Sequence, residues 1–317
     1  MSFRQIPSTA PLPLTEGFAR RRACAIGCFD GVHRGHRALL GLLGDLARRR
    51  GLSSMVLTFN PYPGEFFGAP PARLMDEGRK REVLSARVDE VMEMEFDAEL
   101  AALSAEDFMR LRLRPLGVEL LLMGYDHSFG RRKGGEAPDF ALIGRRYGVE
   151  VARGGPLMEG GKPVSSTRVR RLLQEGRVDE AGSLLGGLYA VRGEVVEGER
   201  RGRRLGYPTL NVEPLDSRVL LPYEGVYAVE VVLKGEIYGG MADVGVRPTF
   251  HGGGARRIEV NLFNFDATVY GERVEVRFVE RLRGERAFPS EALLRDQLPG
   301  DRRAAEAAIE KYKAKKR

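Results

Sequence analysis

The sequence predicts an α/β protein in two parts, a doubly wound parallel-sheet domain followed by a smaller antiparallel β-barrel that ends in helices. Three observations carry this expectation. From residue 23 to about 153, short apolar runs alternate with longer helix-patterned segments, as in parallel sheets whose crossovers are helical. After Gly187, strand-like stretches follow one another with only glycine and proline turns between them, the texture of a compact barrel. A chain of 317 residues also exceeds one ordinary domain and suits two.

In the first part the predicted strands are "ACAIGCF", "SMVLTF", "VMEMEF", "ELLLMG" and "VEVARG", with helical patterns such as "HRALLGLLGDLARRR" between most of them. Strand 23–29 runs into the loop "DGVHRG", and a helix is expected to start near His36. A helical stretch, "SSTRVRRLLQEGRVDEAGSLLGG", closes the domain, so the division is set at 1–185 and 186–317. The second part reads as strands "YAVRGEVVEG", "GVYAVEVVL", "EIYGGMADVG", "RRIEVNLFNF" and "RVEVRFVERL", then two helical segments, "SEALLRDQL" and "RRAAEAAIEKYKAKK". Cys24 and Cys28 fall in one predicted strand, on one face and about 13 Å apart at ~3.3 Å per residue. That is too far for a disulfide, and with no second cysteine pair for a zinc site both read as buried thiols.

Composition narrows the function classes. A hydrophobic content of 43% with 30% charged residues describes a globular protein with real cores. "MSFRQIPSTAPLPLTEGF" lacks the apolar run of a signal peptide, and nothing approaches the ~18 apolar residues of a membrane span; the cytoplasm is expected. The net charge of +7 is spread evenly, 28 basic against 24 acidic residues up to 185 and 23 against 20 beyond. A nucleic-acid face concentrates its charge, so neither nucleic acid nor membrane is expected as a partner, and no obligate protein partner is evident. Arginine outnumbers lysine 43 to 8, which makes an arginine beside a motif weak evidence.

"GCFDGVHRGH" places two of the four histidines, His33 and His36, at the carboxyl end of a parallel strand and at a helix N-terminus. Free backbone N–H groups and the helix dipole favour anions there, and Gly31 and Gly35 leave room for a phosphate to approach the main chain. Two imidazoles in that place can donate hydrogen bonds to phosphate oxygens as charge builds in a displacement. The plainer alternative is that one histidine caps the helix and the other packs.

The stretch resembles the H-x-G-H nucleotidylyltransferases, and "GCFDGVHRGH" as a whole resembles the FMN adenylyltransferase half of bacterial bifunctional FAD synthetases. "LTFNPYP" at 57–63, "MGYDHSFGRRKGG" at 123–135 and "VSSTRVRRLL" at 164–173 agree in the same order. The resemblance implies that His33 and His36 bind ATP phosphates and stabilise the transition state, within a phosphate-binding turn that includes Gly27, Phe29, Asp30, Gly31 and Gly35. It implies that Ser165, Ser166, Thr167 and Arg170 contact nucleotide phosphates, and that Asn60 and Asp126 shape the nucleotide or flavin pocket. Taken alone, "SSTRVR" is an ordinary N-cap and amphipathic helix. Tyr62 stands where the family often has histidine, and His127 where phenylalanine is common.

In the second part, "GEVVEGERRGRRLGYPTLNV" at 193–212 joins a loop punctuated by Gly198, Gly202 and Gly206 to an extended Pro-Thr-x-Asn stretch. Such a loop can cradle ATP phosphates, and the Thr209 hydroxyl and Asn211 carbonyl are hard oxygen ligands suited to Mg²⁺. A β-hairpin with charged turns is the alternative from these residues alone. The continuation is similar to the riboflavin kinase module of the same family, which implies that Pro208 lines the pocket, that Thr209 and Asn211 hold Mg²⁺, and that Glu259 is the general base; an exposed strand glutamate is the other reading of Glu259. Asp243, Asn261 and Asn264 depart from the family's usual asparagine, histidine and aspartate.

The expected function is therefore bifunctional, with riboflavin and ATP giving FMN, and FMN and ATP giving FAD and pyrophosphate. The departures on the kinase side motivate an alternative, an adenylyltransferase whose barrel is a flavin-binding or regulatory module. A pantetheine or cytidylyl transferase of the H-x-G-H group leaves the second domain unexplained.

Overall fold

The computed structural model describes residues 2–7, 20–131, 138–198, 202, 206–246 and 256–315. Its packing separates two compact units, one made of the chain up to Pro71 with Glu77–Val164, the other of Ala72–Asp76 with everything from Ser165 onward.

The first unit is built on six parallel strands: β1 (Ser2–Ile6), β2 (Arg22–Ile26), β3 (Ser53–Asn60), β4 (Glu90–Glu95), β5 (Val118–Met123) and β6 (Glu150–Arg153), in the order β1-β4-β3-β2-β5-β6. All five residues of β2 and six consecutive residues of β3 are buried, the unbroken burial of a sheet covered on both faces. Strand order reverses between β2 and β5, so the crevice beyond their carboxyl ends is the ligand-binding position of such a sheet. Near their amino ends, the fully buried Arg22 donates to both carboxylate oxygens of Glu90, at 3.1 and 3.0 Å, and to the Leu116 carbonyl at 2.7 Å. That pairing satisfies both charges in the sheet interior.

Three sequence expectations are corrected here. β2 ends at Ile26, so Cys28 lies beyond the strand; Cys24 is fully buried, with burial pushing its thiol up to about 12, whereas Cys28 is partly exposed. α1 spans Arg34–Arg50 and begins two residues before His36. Ser2–Ile6, where no strand is expected, supplies the edge strand β1 beside β4.

In the second unit, β9 (Tyr189–Val196), β10 (Leu210–Pro214), β11 (Gly225–Leu233), β12 (Glu236–Val246), β13 (Arg256–Leu262) and β14 (Arg273–Arg283) close an antiparallel barrel in the order β10-β13-β12-β11-β14-β9. Tyr227 meets Phe278 edge-on at 5.3 Å among the buried residues of β11 and β14, favourable aromatic geometry. The C-terminus is one continuous helix, Glu291–Ala314, and not two; it runs through Pro299 and packs Ala305, Ala308 and Ile309 on Ala228 and Met241 of the barrel's outer face. The helices Ser166–Gln174 and Val178–Leu185 pack with this unit, the latter against β9 and β14. Arg73, from the first half of the chain, is also built in: its N–H donates to the Arg218 carbonyl and its own carbonyl accepts from Leu220 N–H, both at 2.8 Å.

Candidate active sites

The chain leaves β2 through a strained turn. Phe29 (φ 50°), Gly31 (φ 78°) and Val32 (φ 36°) are all left-handed, and a β-branched residue there is a true outlier that surrounding packing must hold. Phe29 and Val32 are buried, Gly27 N–H donates to the Leu57 carbonyl at 3.1 Å and the Thr58 hydroxyl to the Cys28 carbonyl at 3.3 Å. Asp30 is buried in the same turn.

His33 is the N-cap of α1. Its Nδ1 accepts from His36 N–H at 3.2 Å, which in the neutral ring leaves the proton on Nε2, a donor. The rings of His33 and His36 stack at 3.7 Å and 13°, and Phe29 flanks His36 at 5.2 Å. Burial, reinforced by neighbouring His33, holds His36 well below the usual imidazole pKa of 6.5; its Nδ1 has no partner among the described residues. Capping and phosphate donation are thus compatible, since the cap uses Nδ1 and leaves Nε2. Gly35 explains the middle of the motif: a Cβ there meets the His33 ring and the Val164 carbonyl, each at 3.1 Å. Gly35 makes room for a side chain and a carbonyl, a role the sequence reading did not foresee.

Other loops gather at the carboxyl ends of the strands. β3 ends at Asn60, followed by a cis bond to Pro61. Tyr62 is buried, with the Lys80 ammonium 4.6 Å from its ring centre. After β5, the turn Gly124–His127 is held by Arg153, whose Nη1 donates to the carbonyls of Gly124 and His127, both at 3.2 Å. Asp126 is exposed on this turn, and the half-buried His127 has a lowered pKa, its desolvation outweighing the opposing pull of Asp126. Residues 132–137, which include the glycines of "GRRKGG", lie outside the described residues. A hairpin, β7 (Met158–Glu159) and β8 (Lys162–Pro163), turns at Gly160 (φ 58°) and Gly161 (φ 71°) and brings Glu159 into an ion pair with Arg34.

In the second unit Ser165 caps its helix by accepting from Arg168 N–H at 3.3 Å. Thr167 is exposed, Ser166 half-buried, and Arg170 Nε donates to the Ala72 carbonyl at 2.7 Å.

Three strands of the barrel align a row of polar residues. Asn211 of β10 is register partner to Glu259 of β13, and Glu259 to Asp243 of β12, so the three share the outer face that also carries Met241. Two glycines press on the proposed metal ligands: a Cβ at Gly198 collides with the Asn211 amide, and one at Gly202 lies 3.2 Å from Thr209 Oγ1. Gly206 sits at φ 82°. Residues 199–201 and 203–205 of that loop lie outside the described residues. Pro208 and Thr209 form one wall of a cleft whose other side is Phe265–Tyr270. Arg257 pairs with Glu259 at 3.0 Å. Burial, with Glu285 and Glu259 nearby and Arg257 and Arg283 opposing, raises Asp243 to about 6. Among the described residues no cluster of three His, Cys, Asp or Glu groups can hold a metal; the hydroxyl and amide oxygens of Thr209 and Asn211 suit Mg²⁺ that completes its shell with phosphate and water.

The departures from the family pattern have their own contacts. Asn261, buried, donates to the Pro208 carbonyl at 2.7 Å, and Asn264 takes a left-handed turn (φ 55°) where its Oδ1 accepts from Arg302 at 3.3 Å. Arg34, Arg153, Arg257 and the Asp243–Glu285 neighbourhood were not legible, because arginine and glutamate are common throughout the chain.

Both parts of the chain match known families. Residues 16–168 match the FAD synthetase family and residues 185–309 the riboflavin kinase family. The chain is 40% identical over 284 residues to a bifunctional riboflavin kinase/FMN adenylyltransferase of Escherichia coli K12, covering 87% of this chain and 89% of that one. It is 33% identical over 311 residues to a protein of the same description from Bacillus subtilis 168, covering 95% and 97%. A crystal structure from Streptococcus pneumoniae, titled a macrolide-efflux protein, superposes with TM-score 0.83 at 32% identity over 95% of this chain and 98% of that one. Among the described residues no helix is long and apolar enough to cross a membrane.

Proposed function

Because the chain belongs to the bifunctional riboflavin kinase/FMN adenylyltransferase family, we propose that its two units divide two consecutive ATP-dependent reactions between the residues described above. The observation that carries the reading is the presence of both sites in one chain, the histidine turn beyond β2 and the Asn211–Glu259 row on the barrel. Residues 1–185 serve adenylyl transfer and 186–317 the kinase; the helix that opens at Ser165 packs with the barrel yet carries a motif of the first reaction.

In the kinase reaction the riboflavin 5′-hydroxyl attacks the γ-phosphorus of ATP, giving FMN and ADP. Glu259 accepts the hydroxyl proton, with Arg257 fixing its carboxylate. Gly198, Gly202 and Gly206 let the loop follow the phosphates, Pro208 lines the cleft, and Thr209 and Asn211 hold Mg²⁺. When bound, that ion neutralises phosphate charge. Asn261, by bracing Pro208, keeps the ligand segment in place.

In the second reaction a phosphate oxygen of FMN attacks the α-phosphorus of ATP and pyrophosphate leaves. His33, through Nε2–H, and His36 donate to phosphate oxygens as charge develops, in the turn formed by Gly27, Phe29, Asp30, Gly31 and Gly35. Ser165, Ser166, Thr167 and Arg170 contact nucleotide phosphates, and Asn60 and Asp126 border the nucleotide or flavin. The work is that of a cytoplasmic enzyme taking riboflavin, FMN and ATP. Incubating the protein with riboflavin, ATP and Mg²⁺ and resolving flavins over time tests the reading. Transient FMN followed by FAD is expected; FAD formed only from supplied FMN would leave the barrel without kinase activity.

A further inference from the structure

We infer that Arg34 and Glu159 form a positioning latch for adenylyl transfer, holding the Met158–Pro163 hairpin against the histidine turn so that the His33 ring stays in register. The inference rests on the assignment of adenylyl transfer to that turn. Neither residue belongs to the set expected to touch nucleotide, and Arg34 stands between His33 and Gly35 in "HRGH". The hairpin is closed tightly, with paired left-handed glycines at its tip, a favoured two-residue hairpin turn, and cross-strand register Met158 to Pro163 and Glu159 to Lys162. Directly after it Val164 is buried, and its N–H donates to the Leu157 carbonyl at 2.9 Å.

This rigid loop meets the first turn of α1 at two adjacent residues. Arg34 pairs with Glu159, 125 residues away in sequence. Gly35 lies between the Val164 carbonyl and the His33 ring, each of which stands 3.1 Å from where its Cβ would be. Moving the hairpin therefore moves the carbonyl that backs Gly35, and with it the packing that places His33 over His36. The pair is partly exposed, 42% and 32%, so its contribution to stability is small, and its effect should appear in geometry. A small displacement of a charge-stabilising group reduces the rate far more than it reduces folding.

Charge exchange separates a latch from a phosphate contact. Arg34→Glu and Glu159→Arg should each lower kcat for FAD formation about tenfold with the KM for ATP nearly unchanged. The double variant should recover most of the loss, as coupled neighbours do. Arg34→Gln and Glu159→Gln, which remove the pair without reversing charge, should show a smaller fall in the same parameter, and FMN formation measured on each sample reports that the barrel is folded. A double variant that stays inactive with a raised KM for ATP would make Arg34 a direct phosphate ligand and overturn the latch. Wild-type kcat in both glutamine variants would overturn it as well. Absence of FAD formation by the unmodified protein would instead remove the assignment on which the latch rests.

Discussion

His33 does two jobs with one ring, and the two can be separated by substitution. As N-cap it accepts from His36 N–H; asparagine is a good N-cap but carries no imidazole Nε2. His33→Asn should melt within a few degrees of wild type, while FAD formation falls about 100-fold, the cost of losing one donor to developing charge; parallel loss of stability and rate would make the residue structural. His36→Ala should lose FAD formation and keep FMN formation. Because His36 is held well below 6.5 by burial, its neutral form persists as the medium is acidified; its stabilising effect is complete above the unfolded value and is lost progressively as pH falls from there through the depressed one. The rate of FAD formation should thus show no acid limb near 6.5, which a pH–rate profile checks. Asp243 has the opposite sign. Raised from 3.8 to about 6, it holds a proton that the unfolded chain has already released, so its stabilisation is complete below 3.8 and lost as pH rises through about 6. Asp243→Asn should flatten that fall and leave the protein more stable than wild type at neutral pH, by about 1–3 kcal/mol, in melting curves across pH.

Elements differ in how far the sequence discloses them. Strands β2 to β5 were legible because largely apolar runs persist where both faces are buried, whereas β6, an edge strand exposed at both ends, was read from its short pattern alone. β1 was not: "SFRQI" is short and polar, and its pairing depends on β4, where Gln5 stands opposite Glu93. The start of α1 was placed too late because histidine is not among the usual N-cap residues. The C-terminal helix was divided at Pro299, which removes an N–H from the ladder, yet Leu298, Ala305, Ala308 and Ile309 all pack with the barrel cluster and the helix runs on. On the barrel, Thr209, Asn211 and Glu259 were legible by type and family likeness. That Glu259 stands opposite Asn211 depends on strand register, which follows from barrel closure and not from local pattern. The glycines beside them carry a test. Alanine at Gly198 must push the Asn211 amide aside, and alanine at Gly202 collides with the Tyr207 carbonyl, displacing the segment that leads into Thr209. Both variants should lower FMN formation and raise the Mg²⁺ concentration it needs, while FAD formation from supplied FMN is unchanged; an unaltered metal titration would remove these two side chains from the metal site.

At the scale of the molecule, the chain does not simply finish one unit before starting the next. Ala72–Asp76 leaves the first half, joins the second unit, and returns at Glu77. Arg73 is fully buried there, paired with Asp216 at 3.6 Å and bridged in parallel to Val219, and Asp76 accepts from Arg192 Nε at 2.9 Å. The kinase unit therefore owes part of its own packing to a segment nearly ninety residues before the rest of it begins at Ser165. Arg73→Ala would remove a buried cation and leave Asp216 with only Arg218 of its two arginine partners. Losing one charged partner of a residue that keeps another costs about 1.5–3 kcal/mol, and backbone bridging to Arg218 and Leu220 loses its side-chain anchor at the same time. Calorimetry of the full chain should show the loss in the transition that abolishes FMN formation. FAD formation from supplied FMN should fall in that same transition, because Ser165, Ser166, Thr167 and Arg170, proposed to contact the nucleotide, belong to the second unit, while the transition of the sheet locked by Arg22 and Glu90 should stay in place. If Arg73→Ala instead leaves the kinase transition in place, the segment merely crosses the barrel surface and the two units fold without this shared piece. A single lowered transition that takes the first unit's sheet with it would mean instead that the two units melt as one cooperative body.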